Sequence, residues 1–367
     1  MTSNRIPASA LFSRHYEQAR ARFLEAAASR GAAVESALLE GLRGARGEPL
    51  AMDTALLGAP GAPKLLVVSS GTHGPEGFAG SAAQLALLQD QDLLQRAGSA
   101  GVALLLVHAV NPYGFSHLQR SNEDNVDLNR NHIDFSRPLP ANPVYAELEP
   151  LLMPQQWPPG PREREALRDW IERHGQPAYR KAVTAGQYTS PDGVFYGGTA
   201  PTWSNRRLRE LLRRHASAAT HLGWVDIHTG LGPYGHGEKI YAGRALEQDH
   251  AMARAWWGAD LFAPFAGDSV SADVSGPVVS VACDECPGAR LALMGLEFGT
   301  VEQEEVLGCL RAHAWLRRHP EAPQALREQV AERMREAFCC DSDEWRGMVL
   351  GQTRVALLQA VQGLRAA

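Results

Sequence analysis

Four apolar runs along the chain have the length of buried β-strands, and turn-forming or polar residues bound each of them. They span residues 64–70, 101–108, 221–228 and 291–298. A helical run over 78–89, continuing to about Arg96, separates the first two. A strand, a helix and a strand at this spacing predict a right-handed crossover, and therefore parallel strands. The pattern predicts an α/β fold with a twisted, mixed, mainly parallel sheet flanked by helices.

The rest of the pattern predicts mostly helices around this sheet. An N-terminal helix is expected over Leu11 to Ala28, within a peripheral region of about 1–45, and two or three helices are expected over 302–367. The other predicted elements are a strand over 48–57, proline-interrupted helices over 145–190, a basic helix over 202–219 that Ser204 could cap, a strand over 237–242 and a helix over 251–259. No repeat or clear linker divides the chain, so residues 1–367 are expected to form a single domain.

Composition narrows the class of protein. Hydrophobic residues make up 44% and charged residues 21%, and the net charge is −5, which gives no support to a nucleic acid or an anionic membrane as partner. No apolar run approaches the roughly 20 residues of a spanning helix. The first 30 residues lack a continuous apolar core, which favours a surface helix over a signal peptide. Five cysteines without framework spacing favour a reduced, cytoplasmic setting. The oligomeric state is left open.

A glycine-rich turn follows the first predicted strand and carries a histidine and a glutamate three residues apart. The turn reads Ser69-Ser70-Gly71-Thr72-His73-Gly74-Pro75-Glu76-Gly77. Its glycines allow the backbone to reverse sharply as the chain leaves the sheet. Imidazole nitrogen and carboxylate oxygen are both good zinc ligands. His73 and Glu76 are therefore candidate metal ligands.

Polar residues also follow two later strands of the predicted sheet. Asp226 and His228 end the strand at 221–228, and Glu297 ends the strand at 291–298. Strand ends of one sheet can converge on one crevice. His228 would complete a His₂Glu set and leave a fourth zinc position for water. Glu297 is the candidate general base, whereas Asp226 could orient an imidazole or pack elsewhere.

A long polar stretch, 111–142, comes directly after the second predicted strand and is expected to form a loop. Its Arg120 and Arg130 are candidates to stabilise charge that develops on a substrate oxygen. Arginine also binds carboxylates with two parallel hydrogen bonds, and Asn129 adds an amide donor beside Arg130.

Each of these features has a simpler structural interpretation when it is taken alone. An isolated His-x-x-Glu is common, a histidine at a strand end is often a buried core residue, and a polar loop is usually just solvated. A different metal site is also conceivable, because Cys283 and Cys286 have metal-binding or redox spacing and Cys339-Cys340 could complete four thiolates. There is no Gly-x-Ser-x-Gly elbow, phosphate loop or dinucleotide fingerprint.

Taken in order, the motifs resemble the zinc carboxypeptidase superfamily, the carboxypeptidase A-like metallopeptidases. The ordered pieces are His73/Glu76, Asn111-Pro112-Tyr113-Gly114, Asp127-Leu128-Asn129-Arg130-Asn131, His228 and Glu297. The resemblance implies a zinc-carboxypeptidase-like fold and one Zn²⁺ ion held by His73, Glu76 and His228. It implies that Arg120 polarises the scissile carbonyl and that Glu297 is the base. It also implies that Asn129 and Arg130 hold a substrate carboxylate.

More closely, the motifs at 71–77, 122–131 and 226–232 resemble an uncharacterised bacterial branch of that superfamily. The resemblance implies an amide or peptide hydrolase acting on a small peptide. The superfamily also contains N-acyl amino acid deacylases with a similar metal set, so that activity stays an alternative, as does a non-catalytic zinc-binding relative. Tyr234 and Tyr241 are candidates for the substrate-capping tyrosine of the superfamily.

Overall fold

The structure, a computed structural model, describes residues 7–267, 269 and 271–367. Eight strands in these residues belong to one sheet. In chain order they are β1 (Ala33–Arg43), β2 (Pro49–Leu57), β3 (Lys64–Ser69), β4 (Val102–His108), β5 (His221–Tyr234), β6 (Gly237–Tyr241), β7 (Leu261–Phe262) and β8 (Arg290–Gly299). Their spatial order is β1-β2-β4-β3-β5-β8-β6-β7. The predicted α/β class is confirmed.

The centre of the sheet is parallel and its first edge is antiparallel. Strands β4, β3, β5 and β8 lie side by side as parallel neighbours, as the crossover pattern predicts. Strands β1 and β2 add an antiparallel edge next to β4, and β6 pairs antiparallel with β8. The sheet is therefore mixed, with its parallel strands in the middle, where both faces are covered.

Thirteen α-helices accompany this sheet in the described part of the chain. They are α1 (Tyr16–Ser29), α2 (Gly77–Gln89), α3 (Gln91–Ser99), α4 (Pro112–His117), α5 (Pro143–Leu152), α6 (Pro161–His174), α7 (Gln176–Thr184), α8 (Trp203–His215), α9 (Glu247–Trp257), α10 (Val281–Glu285), α11 (Gln303–Arg318), α12 (Gln324–Phe338) and α13 (Asp343–Ala366). None of the helices described here has both the length and the apolar composition needed to cross a membrane.

Two apolar layers cover the two faces of the sheet. On one face, alternate residues of the central strands, such as Val68, Val225 and Leu296, pack with α1, α2, α9 and α13. On the other face, residues such as Val67 and Trp224 pack with α8 and α10. This alternation follows from the two-residue period of a strand. Helices α5, α6, α7, α11 and α12 build a third apolar cluster beside the sheet.

The registers of the parallel strands determine which polar residues become neighbours. Ser69 at the end of β3 is level with Asp226 on β5, and His228 on β5 is level with Glu297 on β8. All three strands run in the same direction, so their carboxyl ends open on the same edge of the sheet. The predicted convergence of these strand ends is therefore present in the structure.

Several predicted boundaries need correction. The first helix begins at Tyr16 rather than Leu11, after a short 3₁₀ turn at Ala8–Leu11, and residues 1–6 of the N-terminal region lie outside the described residues. The edge strand β1 was not predicted. The stretch 111–142 is not all loop, because it contains α4 and a 3₁₀ turn at Leu128–Arg130.

The cap of α8 also differs from the prediction. Thr202 accepts the hydrogen bond from the backbone N–H of Asn205 and caps the helix. Ser204 instead lies inside the first turn, where its hydroxyl donates to the carbonyl of Val110 at 2.7 Å. The serine thus ties the helix to the end of β4, and the threonine two residues earlier has the capping role.

Candidate metal centre and active-site cleft

The turn after β3 is folded tightly by two glycines. Gly71 has φ +65°, and a Cβ added there would lie 2.9 Å from the side chain of Ala109. Gly74 begins a 3₁₀ turn that ends at Glu76, and a Cβ on Gly74 would lie 2.0 Å from the backbone of Gly114. Only glycine fits at such a separation. The turn therefore packs directly on α4 and buries both His73 and Glu76.

The three predicted metal ligands come together in the structure. His73, Glu76 and His228 are all buried, and each offers one ligand atom within 4.8 Å of the other two. Nδ1 of His73 lies 2.8 Å from Oε1 of Glu76, and Nδ1 of His228 lies 3.0 Å from Oε2. One carboxylate is thus flanked by two imidazoles, one at each oxygen.

Each imidazole is held from behind by an aspartate. Nε2 of His73 lies 3.1 Å from Oδ1 of Asp127, and Nε2 of His228 lies 2.6 Å from Oδ2 of Asp226. Such carboxylates orient metal-binding histidines and fix the tautomer that presents the other nitrogen. The sequence left two possibilities open for Asp226, and the structure places it where it orients an imidazole.

Hydroxyl groups fix the Asp226 carboxylate in turn. Ser69 donates to its Oδ1 at 2.5 Å, and the hydroxyl of Thr72 lies 3.1 and 2.9 Å from its two oxygens. The indole N–H of Trp224 donates to Ser69 Oγ at 2.7 Å. This buried network follows from the matched register of β3 and β5.

The donor set fits a divalent cation. If each imidazole donates its Nε2–H to an aspartate, the Nδ1 lone pairs face the lone pairs of the Glu76 oxygens, and only a cation or added protons make that contact favourable. The net charge of the cluster also favours a bound cation. Glu76, Asp127 and Asp226 contribute three negative charges and Arg120 one positive charge, so neutral imidazoles leave 3 − 1 = 2 negative charges.

Electrostatic interactions keep all three carboxylates ionised. Burial opposes the charge on Asp226, but His228 outweighs it and lowers the pKa of Asp226. Burial opposes the charge on Glu76, but its interactions with His73 and His228 outweigh burial and hold its pKa well below the usual value. Burial opposes the charge on Asp127 as well, and Arg120 and His73 lower its pKa well below the usual range. Burial would lower the pKa of His228, but Asp226 outweighs it and raises that pKa well above normal. The centre is therefore strongly attractive to positive charge.

Glu297 lies beside this cluster, one strand away from His228. The backbone N–H of Leu231 donates to its Oε1 at 3.1 Å, and 9% of the residue is exposed, on the wall of the cleft. Burial raises the pKa of Glu297 to about 8, and the negative charge of Glu76 adds to the effect. A carboxylate with a raised pKa can both accept and return a proton near neutral pH.

Arg120 joins the cluster from the polar stretch after β4. Its Nε donates to Asp127 Oδ2 at 3.0 Å, and its Nη1 donates to Glu76 Oε1 at 3.4 Å. Burial acts against its charge, but Asp127 and Glu76 outweigh burial and raise its pKa. The guanidinium also lies over the ring of Phe195, 5.0 Å from the centroid. Arg120 therefore stays charged at the edge of the cluster of candidate metal ligands.

Asn129 and Arg130 also line the cleft, although their polar groups are partly engaged. Val278 N–H donates to Asn129 Oδ1 at 2.8 Å, and Asn129 lines the cleft. The Arg130 guanidinium donates to the carbonyls of Asn129 and Thr184, at 2.8 and 2.6 Å, and its Nε has no partner within the described residues. Burial lowers the pKa of Arg130.

Two adjoining cavities open at this cluster. The larger, about 540 Å³, is lined by His73, His228, Glu297 and both arginines, and it extends to α7 and α11. The smaller, about 260 Å³, shares Asn129, His228 and Glu297 with it and continues between β6, β8 and residues 271–280. Tyr241 lines the smaller cavity, but its hydroxyl donates to the carbonyl of Arg244, and Tyr234 lines neither.

Two residues of the site were not among the sequence candidates. Asp127 stood in one of the motifs without an assigned role. Two features could have marked it: it lies between the candidates Arg120 and Asn129, and its spacing to Asn129 is that of an Asx turn. The ring of Phe195 contacts both guanidinium groups, 5.0 Å from that of Arg120 and 5.6 Å from that of Arg130, and its backbone is in the left-handed region at φ 54°. Nothing in its sequence context pointed to this role.

The alternative cysteine site does not form. The five cysteines are free in the structure, and among the described residues the one group of three or more potential metal ligands is His73, Glu76 and His228. Cys283 and Cys286 lie on and directly after the short helix α10, where burial raises the pKa of each thiol to about 11. A thiol with a raised pKa is a poor metal ligand, because the thiolate is the binding form.

Residues 12–352 match the model of the family described as "Protein of unknown function (DUF2817)". The chain belongs to this family. No curated protein matches its sequence. The description of the family names no activity, so the chemistry of the site has to be inferred from the residues themselves.

Solved structures with a similar arrangement include several carboxypeptidases. Bovine thrombin-activatable fibrinolysis inhibitor is 11% identical, with a TM-score of 0.49, and the match covers 96% of this chain and 97% of that one. Carboxypeptidase A from Helicoverpa armigera is 14% identical, with a TM-score of 0.45 and coverage of 90% and 75%. A metallo-carboxypeptidase from Burkholderia cenocepacia is 14% identical, with a TM-score of 0.42 and coverage of 95% and 68%. The function proposed below rests on the side chains of the site, and not on these likenesses.

Proposed function

We propose that this protein is a zinc-dependent hydrolase of the carboxypeptidase type, which cleaves an amide bond next to a substrate carboxylate. His73, Glu76 and His228 are the three ligands of one Zn²⁺ ion. One observation carries the proposal: two imidazoles each present Nδ1 to the same buried carboxylate while an aspartate holds each Nε2. Three protein ligands and an open side toward a cleft are typical of catalytic zinc sites.

Zinc bound at this centre would act as a Lewis acid and would lower the pKa of a bound water. The protein supplies the other parts of the chemistry. Glu297 takes a proton from the attacking water on its Oε2, since its Oε1 accepts the Leu231 N–H, and it returns the proton to the leaving amine. Arg120 stabilises the negative charge that develops on the carbonyl oxygen. Both groups lie on the wall of the same cavity.

Asn129 and Arg130 are the proposed anchor for the substrate carboxylate. Asn129 lines both cavities and Arg130 lines the larger one, and Nε of Arg130 has no partner in the described residues. A buried donor without a partner costs free energy, and an anionic ligand would relieve that cost. An arginine beside an amide group also suits a planar carboxylate.

Removal and return of the metal test the proposal. The zinc-loaded protein should hydrolyse a suitable peptide, lose that activity when a chelator removes the metal, and regain it with added zinc. The variant Glu297→Gln should keep its zinc, measured by elemental analysis, and lose about 10²- to 10⁴-fold in turnover, as expected for loss of a general base. Glu305→Gln, an exposed carboxylate on α11, is the matched control. Hydrolysis that persists in metal-free protein would contradict the mechanism.

A substrate panel separates the two enzymatic interpretations. Peptides with a free carboxyl terminus and N-acyl amino acids both place a carboxylate next to the scissile amide, so the same anchor serves either class. Cleavage of the peptides alone identifies a carboxypeptidase, and cleavage of the N-acyl amino acids alone identifies a deacylase. Bound zinc without hydrolysis of either class would identify a non-catalytic relative.

We propose the cytoplasm as the compartment, because the chain has few cysteines and an odd number of them.

A further inference from the structure

Helix α7 forms one wall of the larger cavity and turns a polar stripe toward it. Gln176, Arg180 and Thr184, spaced four residues apart, line the cavity, and Lys181 lines it beside them. Residues four apart lie on one face of a helix. The opposite face of α7 is buried: Ala182 and Val183 pack in the apolar cluster beside the sheet. The basic side chains therefore face the cleft because the helix is fixed from behind.

The two basic side chains of this stripe have no acidic partner in the part of the chain that the structure describes. Arg180 and Lys181 are exposed at the rim and make no side-chain hydrogen bond or ion pair there. On α8, by contrast, Arg207, Arg209 and Arg213 each pair with a glutamate. The whole chain has more acidic than basic residues, 41 against 36. Arg180 and Lys181 are therefore available to an anionic ligand in the cavity.

The stripe is connected to the proposed carboxylate anchor. The carbonyl of Thr184, in the last turn of α7, accepts a hydrogen bond from Nη2 of Arg130 at 2.6 Å. Acidic residues line the same cavity. Glu304 on α11 accepts from Gln176 of the stripe at 3.3 Å, and Asp273 lies on the segment before α10. Arg130, Arg180 and Lys181 place three positive charges on the wall of this cavity.

We propose that Arg180 and Lys181 form a second anion-binding subsite, so that the preferred substrate is an acidic peptide. Its terminal carboxylate binds at Asn129 and Arg130, and an Asp or Glu side chain upstream of the scissile bond binds at α7. The inference rests on the proposed hydrolase function for its kinetic test. The cavity of about 540 Å³ is large enough for more than one amino-acid residue. Exposed charges of this kind act through selectivity and association more than through large affinity.

Matched peptides test the subsite in the zinc-loaded, full-length protein. Each pair differs only by Glu or Gln at one of the two positions before the scissile bond. The wild type should show a kcat/KM roughly 10-fold higher for the Glu peptide at low salt, and the preference should shrink as ionic strength rises. The double variant Arg180→Gln/Lys181→Gln should lose the preference and still cleave the Gln peptide at the wild-type rate.

Arg206→Gln/Arg207→Gln is the matched control. It removes the same charge from an exposed basic pair on α8 that does not line the cleft, and it should keep the preference. A preference that is equal in the wild type and in the α7 variant would overturn the proposal.

A binding measurement separates failure of the subsite from failure of the hydrolase function. Calorimetry with zinc-loaded Glu297→Gln protein should show tighter binding of the Glu peptide than of the Gln peptide, and the difference should vanish when Arg180 and Lys181 are also replaced by Gln. A binding difference without hydrolysis by the wild type would support the subsite and contradict the hydrolase. Equal binding of the two peptides would contradict the subsite, whatever the activity.

Discussion

Asp127 shows how much of the site depends on a single carboxylate. Its Oδ1 lies 3.1 Å from Nε2 of His73 and accepts from the backbone N–H of Asn129, while its Oδ2 accepts from Nε of Arg120. It therefore positions a proposed metal ligand, the proposed anchor and the proposed oxyanion donor together. Asp226 has a narrower role, because among the described residues its carboxylate contacts hydroxyl groups and the proposed ligand His228.

This difference predicts distinct effects for two similar substitutions. Asp127→Asn and Asp226→Asn should each weaken zinc binding about 10- to 100-fold, measured by competition with a chelator, because each loses the carboxylate that orients a histidine. At saturating zinc, Asp226→Asn should recover most of its turnover. Asp127→Asn should stay about 10- to 100-fold slower, since Arg120 is no longer held in place. Equal turnover of the two variants at saturating zinc would contradict the role given to Asp127.

At the scale of elements, the turn between β3 and α2 is the most constrained part of the site. A Cβ on Gly74 would lie 2.0 Å from the carbonyl carbon of Gly114 and 2.4 Å from the carbonyl oxygen of Gln119. These are backbone atoms of α4 and the residues after it, so they cannot move aside as a flexible side chain could. The position of His73 and Glu76 thus depends on a close backbone contact between two elements.

Gly74→Ala should therefore destabilise the protein by more than ~2 kcal/mol and weaken zinc binding, because the turn must move away from α4. The matched control is Gly98→Ala on α3, where an added Cβ meets no atom within 4 Å. That change should be neutral or stabilise by up to ~1 kcal/mol, since alanine is the better helix former. Urea denaturation of the two variants measures both effects, and a loss of stability in Gly98→Ala as large as in Gly74→Ala would contradict the role of the contact.

The elements also show what the sequence could and could not predict. The central strands were predicted because β3, β4, β5 and β8 are buried on both faces and appear as continuous apolar runs. The strand β1 was missed because it lies at the edge and is mostly exposed, so neither apolar runs nor alternation mark it. Its assignment depends on pairing with β2, and such tertiary contacts override local propensity.

The same distinction holds for the site. His73, Glu76, His228 and Glu297 could be predicted as one cluster because each lies at or just after the predicted end of a strand, and the carboxyl ends of neighbouring parallel strands open at one edge. The contribution of Phe195 could not be predicted, since it comes from a loop after α7 whose path is set by packing rather than by local pattern. Likewise the orienting role of Asp127 depends on how the stretch after β4 folds back on the turn.

At the scale of the whole molecule, the proposed zinc ion would link parts of the chain that are distant in sequence. His73 and Glu76 belong to the turn after β3, and His228 belongs to β5, two strands that are neighbours in the centre of the sheet. Unfolding separates these residues, so we expect the unfolded chain to bind zinc more weakly than the folded one. A ligand that binds the folded state alone stabilises it in proportion to the logarithm of its concentration over Kd.

Zinc should therefore raise the melting temperature of the metal-free protein, with a gain of ~4 kcal/mol at a thousandfold excess over Kd. For a chain of this size the corresponding shift is roughly 5 °C, which a thermal scan at several zinc concentrations can measure. His228→Ala should abolish the shift, whereas His236→Ala, on the exposed loop before β6, should retain it. Cys283→Ser/Cys286→Ser should also retain it, because the thiols lie outside the cluster. A shift that survives in His228→Ala and disappears in the cysteine variant would move the zinc site to α10 and contradict the hydrolase mechanism with it.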